Sequence, residues 1–311
     1  MKKIILISVL IITGIFSSEK SYSQYDPMFT NYMWNEMFIN PAYAGSREAL
    51  SLVALHRQQW VGIDGAPVSQ TISLHGPFLE NKVGLGLSIL NESIGVSSET
   101  YYMGTFAFRF KTSRKGQLSF GLSGGAITMQ EKLADITTQM PGDVHFQQNT
   151  PLIAMPNASF GVYYYTDKFY LGFSVPRMIY NEIKPQTWDV KSTLKTQNLH
   201  YYLTSGYVFD LKRGIKVKPT IMLKSVYAAP LEVDASINIF LKDLIWAGMA
   251  YRSGDALSLL LALQLNPNFR LGYSYDYTTT RLNNFNSGTH EISLGYDFSL
   301  GKKKIVSPRV F

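Results

Sequence analysis

The stretch at 291–300, E-I-S-L-G-Y-D-F-S-L, constrains the fold more than any other part of the chain. Ile292, Leu294, Tyr296, Phe298 and Leu300 alternate with Glu291, Ser293, Gly295, Asp297 and Ser299. Successive side chains of a β-strand fall on opposite faces, so a strand here has one apolar and one polar face. A strand in a soluble sandwich also alternates, but it turns bulky apolar groups inward and polar groups toward water. In this stretch the polar face holds small and acidic residues and the apolar face ends in aromatics. That suits lipid outside and an aqueous lumen inside.

The pattern recurs. Val83, Leu85, Leu87 and Ile89 oppose Gly84, Gly86 and Ser88, and Leu118, Phe120 and Leu122 oppose Ser119, Gly121 and Ser123. Val233 to Leu241 and Phe269 to Tyr277 read the same way. Fourteen strands are expected, at 49–58, 67–76, 82–90, 99–110, 117–128, 153–165, 168–175, 199–210, 214–224, 231–241, 244–251, 256–265, 268–277 and 289–300. Their connections alternate between tight ones and longer or more variable ones. The tight set is 78–81, 111–115, 166–167, 211–213, 242–243 and 266–267. The longer set is 59–66, 91–98, 129–152, 176–198, 226–230, 252–255 and 278–288. Outer-membrane barrels have an even strand count, short periplasmic turns and longer outer loops. The fold class is therefore all-β: a transmembrane antiparallel β-barrel of about 14 strands with short periplasmic turns and longer extracellular loops.

Composition agrees: 14% of the residues are aromatic and only 16% charged. Without cysteine there is no disulfide scaffold, thiolate zinc site or thiol nucleophile. Residues 1–23 read as a secretory signal peptide, with Lys2 and Lys3 before an apolar core and Ser21-Tyr22-Ser23 at the cleavage site. Residues 24–47 form an N-terminal periplasmic or plug segment, with a short amphipathic helix expected near 30–38. The barrel is expected over 48–301 and a C-terminal periplasmic tail over 302–311. Inward Lys216, Lys218, Glu232, Asp234, Arg270, Asp276 and Asp297 imply a lumen with both charge signs. The basic surplus is modest and calls for no nucleic-acid partner.

No catalytic constellation stands out. The five histidines lack metal-ligand spacing, and pairs such as His75 with Ser73 or His290 with Ser293 arise in any serine-rich barrel. The reading is a non-enzyme with no cofactor and no metal. Binding chemistry concentrates in the connections 129–152 and 176–198, which are long enough to be functional. Met140, Phe146, Met155, Met178, Tyr180 and Trp188 are the candidate partner-binding side chains there and at their edges.

The sequence Q-Y-D-P-M-F-T-N-Y-M-W-N-E-M-F-I-N-P-A-Y-A-G at 24–45, followed by H-R-Q-Q-W-V-G-I-D-G-A-P at 56–67, resembles the PorP/SprF family of type IX secretion system outer-membrane proteins. Asp26, Pro27, Tyr32, Asn40, Pro41, Ala42, Gly45, Arg57, Gln59, Trp60 and Pro67 carry the resemblance, and T-I-S-L-H-G-P at 71–77 fits it. The resemblance implies a barrel that assists export and surface anchoring of a cognate secreted adhesin, including adhesins used in gliding. The expected partners are that adhesin's type B C-terminal domain, type IX secretion components and outer-membrane lipid. Two alternatives are a core secretion-machinery barrel contacting periplasmic components and a porin for a solute or lipid.

Overall fold

The computed structural model describes residues 27–298 apart from 48, 137–145, 185–186, 228 and 243. The signal peptide, the C-terminal tail, Asp26 and Met140 lie outside the described residues. The chain runs through β1 (Leu50–Gln58), β2 (Val68–Phe78), β3 (Val83–Ile94), β4 (Ser97–Lys111), β5 (Gln117–Glu131), β6 (Ile153–Tyr165), β7 (Phe169–Val175), β8 (Tyr180–Ile183) and β9 (Val190–Thr193). It continues through β10 (Tyr201–Tyr207), β11 (Phe209–Asp210), β12 (Ile215–Ser225), β13 (Glu232–Leu241), β14 (Ile245–Arg252), β15 (Ala256–Gln264), β16 (Phe269–Thr278) and β17 (Thr289–Phe298).

Each barrel strand pairs antiparallel with its sequence neighbour, and β1 pairs with β17 from Leu50↔Phe298 to Gln58↔His290. Pairing of β10 with β12 completes a closed 14-strand barrel, with β11 prolonging β10 beyond Val208 and β8–β9 forming a separate hairpin. Closure leaves no barrel strand as a free edge, the condition for a sheet to sit in hydrocarbon. Among the described residues no helix is long and apolar enough to cross a membrane.

Burial inverts the usual rule. On β17, Ile292 is 48% exposed while Glu291 is 1% exposed, and Leu87 on β3 is 65% exposed beside buried Ser88. Apolar side chains face out along the wall, and most polar ones face in, as lipid and lumen require.

One connection differs sharply from the sequence expectation. The connection expected at 91–98 shrinks to Gly95 and Val96, because β3 and β4 stay paired up to Ile94↔Ser97 and Gly95 takes the positive φ of a tight turn. The connection between β14 and β15, expected at 252–255, is three residues long, 253–255. As a result the wall is uneven: β4 and β5 each run 15 residues, against 7 for β10 and 8 for β14.

Candidate functional site: a filled lumen and its mouth

Residues 27–47 lie inside the barrel. They form a 3₁₀ turn at Tyr32–Trp34, one turn of α-helix, α1 (Glu36–Ile39), and a second 3₁₀ turn at Pro41–Tyr43. The longer amphipathic helix expected near 30–38 is broken into these short turns, and barrel side chains take free N–H groups at its start. The two carboxylate oxygens of Glu291 accept hydrogen bonds from Thr30 N (2.9 Å) and Asn31 N (2.7 Å).

The segment's route follows from its partners. Phe29 to Asn31 meet Arg252, Asp276 and Glu291, which sit where β14, β16 and β17 approach the long-loop end. Tyr32 and Met33 cross the middle, at Thr220 and Asn238. Trp34 packs against Trp246 with the two rings tilted, close to the short-turn end. Asn40 to Arg47 then descend to β1 at that same end. The chain therefore spans much of the lumen's height. Phe29, Tyr32, Met33, Trp34 and Ile39 form one buried apolar cluster with inward Leu90, Ile127, Tyr202, Phe240 and Trp246. The Tyr32 hydroxyl shares a hydrogen bond of 3.1 Å with Thr220 Oγ1.

Three groups of buried charges hold the segment or the wall beside it. Arg57 pairs with Asp276 at 2.8 Å and with Glu291 at 3.1 Å, and it also donates to Thr30 Oγ1. Arg47 pairs with Asp297 at 2.7 Å; Ser51 donates to the same carboxylate, and Arg270 lies 3.7 Å from it. Lys224, Glu232, Asp234 and Arg252 form the third group, from which Arg252 donates to the Phe29 carbonyl. Buried charges are tolerated only when paired and hydrogen-bonded, and each group meets that condition across several strands.

The descending stretch lies in a groove of small residues. Gly84, Ala107, Gly121 and Gly161 are in direct register across β3, β4, β5 and β6. A Cβ at Gly84, Gly121 or Gly161 would overlap Ala44, Ala42 or Asn40. Asn40 donates to the carbonyls of Val162 and Phe173 and accepts from Ala42 N. Arg109 donates to the carbonyls of Ala44 and Gly45, and Gly45 N donates to His75 Nδ1.

Above the segment, at the long-loop end, the wall has a notch. Pairing between β6 and β7 stops at Phe160↔Val175, so the upper part of β6 rises without a barrel neighbour on that side. The β8–β9 hairpin folds into this gap, with Ile183 and Val190 packed against the lumen's apolar cluster. Between hairpin and wall is a cavity of about 620 Å³ whose lining includes Glu99, Met129, Met155, Tyr180, Ile183 and Tyr227. A smaller cavity of about 50 Å³ lies deeper, floored by Pro27, Met37, Phe38 and Ile39, and Arg177 lines both.

Residues 21–296 match the family described as "Type IX secretion system membrane protein PorP/SprF". The chain belongs to that family. It is an outer-membrane barrel of type IX secretion. Among curated proteins no sequence matches it. Solved structures share its fold at low identity. The CymD monoaromatic hydrocarbon channel is 12% identical, with a TM-score of 0.50, over 85% of this chain and 93% of that one. Omp33 of Acinetobacter baumannii is 8% identical, with a TM-score of 0.45, over 81% and 99%. A Pseudomonas aeruginosa FadL homologue is 11% identical, with a TM-score of 0.46, over 88% and 95%.

The PorP/SprF motif residues meet at the junction of segment and wall. Pro27, Tyr32, Asn40, Pro41, Ala42 and Gly45 belong to the enclosed segment, and Arg57 is its main pin. Gln59 N donates to the Pro67 carbonyl across the base of the first long loop, and Trp60 takes a positive φ beside it while its N donates to Thr289. The partner candidates scatter more widely. Met155 and Tyr180 line the mouth cavity. Trp188 sits exposed at the β8–β9 tip, Phe146 is half-buried in the other long loop, and Met178 lies against an apolar depression of the wall beside Leu87 and Phe106. Arg109, Arg252 and Glu291 were missed as functional positions; their inward placement on alternating strands was the available signal.

The serine and histidine pairs that the sequence offered are drawn to other partners. Ser73 is engaged by Asn35, and His290 contacts Tyr273 on the outer face while Ser293 points inward. Among the described residues no group of histidine and carboxylate side chains is placed to hold a metal.

Proposed function

We propose that this barrel assists export of a cognate secreted adhesin and holds its type B C-terminal domain at the cell surface, through the loops 129–152 and 176–198. In this reading the long loops face outward and the short turns face the periplasm, as in other outer-membrane barrels. Segment 24–47 acts as a resident plug, secretion components are met at the short-turn end, and the barrel carries no enzymatic function.

The observation that carries the reading is the filled lumen. A conduit for solute needs a continuous aqueous path, and here the path is occupied by a chain segment pinned by Arg47, Arg57 and Arg252. Binding at the mouth is what a filled barrel can still offer a large partner. The β8–β9 hairpin and the candidate side chains Met155, Tyr180 and Trp188 supply a surface for it, and Met140, Phe146 and Met178 complete the proposed contact set.

The test is mild-detergent purification of the tagged barrel from its native outer membrane, with mass spectrometry of what co-purifies. A large secreted protein held through its C-terminal domain is the expected result. Periplasmic secretion components alone would move the assignment to core machinery. A solitary, ion-conducting barrel would replace both with a porin.

A further inference from the structure

We infer that the mouth cavity seats an extended, apolar and uncharged peptide segment of the secreted partner, gripped by side chains and not by strand addition to β6. This inference rests on the retention role proposed above and specifies how retention is achieved.

The lining sets the chemistry. Met129, Met155, Ile179, Ile183, Val226 and Tyr227 supply apolar wall, and methionine adapts to irregular partners. The charges at its edge are already engaged: Glu99 accepts from Tyr101 at 2.7 Å, and Arg177 lies over the same tyrosine ring. A charged segment would lose solvation there with little to replace it. Gln197 and Asn198 add amides that both donate and accept, as a peptide backbone requires. A volume of about 620 Å³ falls within the ~300–1,000 Å³ typical of ligand cavities.

The surroundings identify a macromolecule. Leu152, Leu194 and Tyr227 are 66%, 72% and 69% exposed. Exposure of this kind on the barrel wall is covered by lipid, but these residues lie in or beside loops at the notch. Tyr227 itself lines the cavity, where its exposed ring offers an apolar contact to a partner. Deeper in, buried Asn157 lines the small cavity, and its Oδ1 has no hydrogen-bond partner among the described residues. A backbone N–H from an inserted segment would satisfy it.

The unpaired top of β6 looks at first like a site for strand addition, and it is closed. Pro156 has no N–H to give. Its carbonyl accepts from Asn181 Nδ2, and the Ala158 carbonyl accepts from Met178 N. Prolines and covering loops are how edges are protected from pairing. Recognition therefore falls to the cavity. Beneath it the smaller cavity is floored by Pro27 and α1, and Arg177 lines both.

The test places the photoreactive residue p-benzoyl-phenylalanine at Tyr227 and, as control, at exposed Phe285 on the β16–β17 loop, in native outer membranes. Cross-linked peptides are then mapped by mass spectrometry. An apolar, uncharged stretch of the co-purifying protein's C-terminal domain joined at Tyr227, and not at Phe285, is expected. The paired variant Ile179→Lys with Tyr227→Lys should weaken retention at least ten-fold with barrel heat-modifiability unchanged, while Met155→Leu should retain the partner. If the partner co-purifies yet Tyr227 reacts only with lipid or a small molecule, or if the lysine variants hold it as well as wild type, this inference falls and the retention role stands. If no secreted protein co-purifies at all, both fall.

Discussion

Arg57 shows how a single residue fixes the state of the lumen. It is almost fully buried and balances Glu291 and Asp276, which in turn bind Thr30 and Asn31. Arg57→Ala leaves two carboxylates without their cation, and breaking a buried pair costs about 3–5 kcal/mol. We expect a lower unfolding midpoint in urea and a rise in ion conductance across planar bilayers, with Arg57→Lys intermediate. Gly121→Ala tests the groove: its new Cβ meets the backbone at Pro41 and Ala42, which cannot move aside as a flexible side chain could. The expected outcome is faster tryptic cleavage after Arg47, which is buried in the intact protein. Much of this lumen was legible in the sequence. Lys218, Glu232, Asp234, Arg270, Asp276 and Asp297 are buried as alternation predicted, while Lys216 is only half-buried. Which charge meets which was not legible, because Arg57 and Glu291 stand 234 positions apart.

At the scale of elements, alternation located all fourteen barrel strands and missed what lies beyond the lipid. The tops of β3, β4 and β5 are rich in polar residues, such as Asn91, Glu92, Ser98 and Gln130, and so read as loop although they stay paired. The β8–β9 hairpin was also hidden, since two four-residue strands carry too little periodicity to be seen. The two wall faces should respond differently to charge. Leu294→Arg, on the lipid face of β17, should cost about 2–4 kcal/mol if near the bilayer midplane, read as a shift in folding midpoint in lipid vesicles. Replacing residues 180–193 by a short Gly-Ser linker should leave the heat-modifiable barrel band intact, because no barrel strand pairs with the hairpin. The same replacement should release the partner into the medium, and continued surface retention would argue against a role for this loop.

For the whole molecule, the architecture is a wall wound around its own first residues. Deleting 27–47 should convert a poorly conducting barrel into an open channel, because the remaining inward polar side chains can then be solvated; single-channel recording of the two forms checks this. A wild-type protein that already conducts freely would count against a resident plug. The winding also bears on assembly. Arg57 and Glu291 lie opposite each other in the register that joins the first strand to the last, and Glu291 is also the anchor of Thr30, 261 positions earlier. Sealing the cylinder and securing its contents are thus one event. Contacts of such sequence separation form late and slowly. In a refolding time course, protection of the N-terminal segment should not precede closure as a separate phase but appear with it. A chain that stalls before its final strand would have neither.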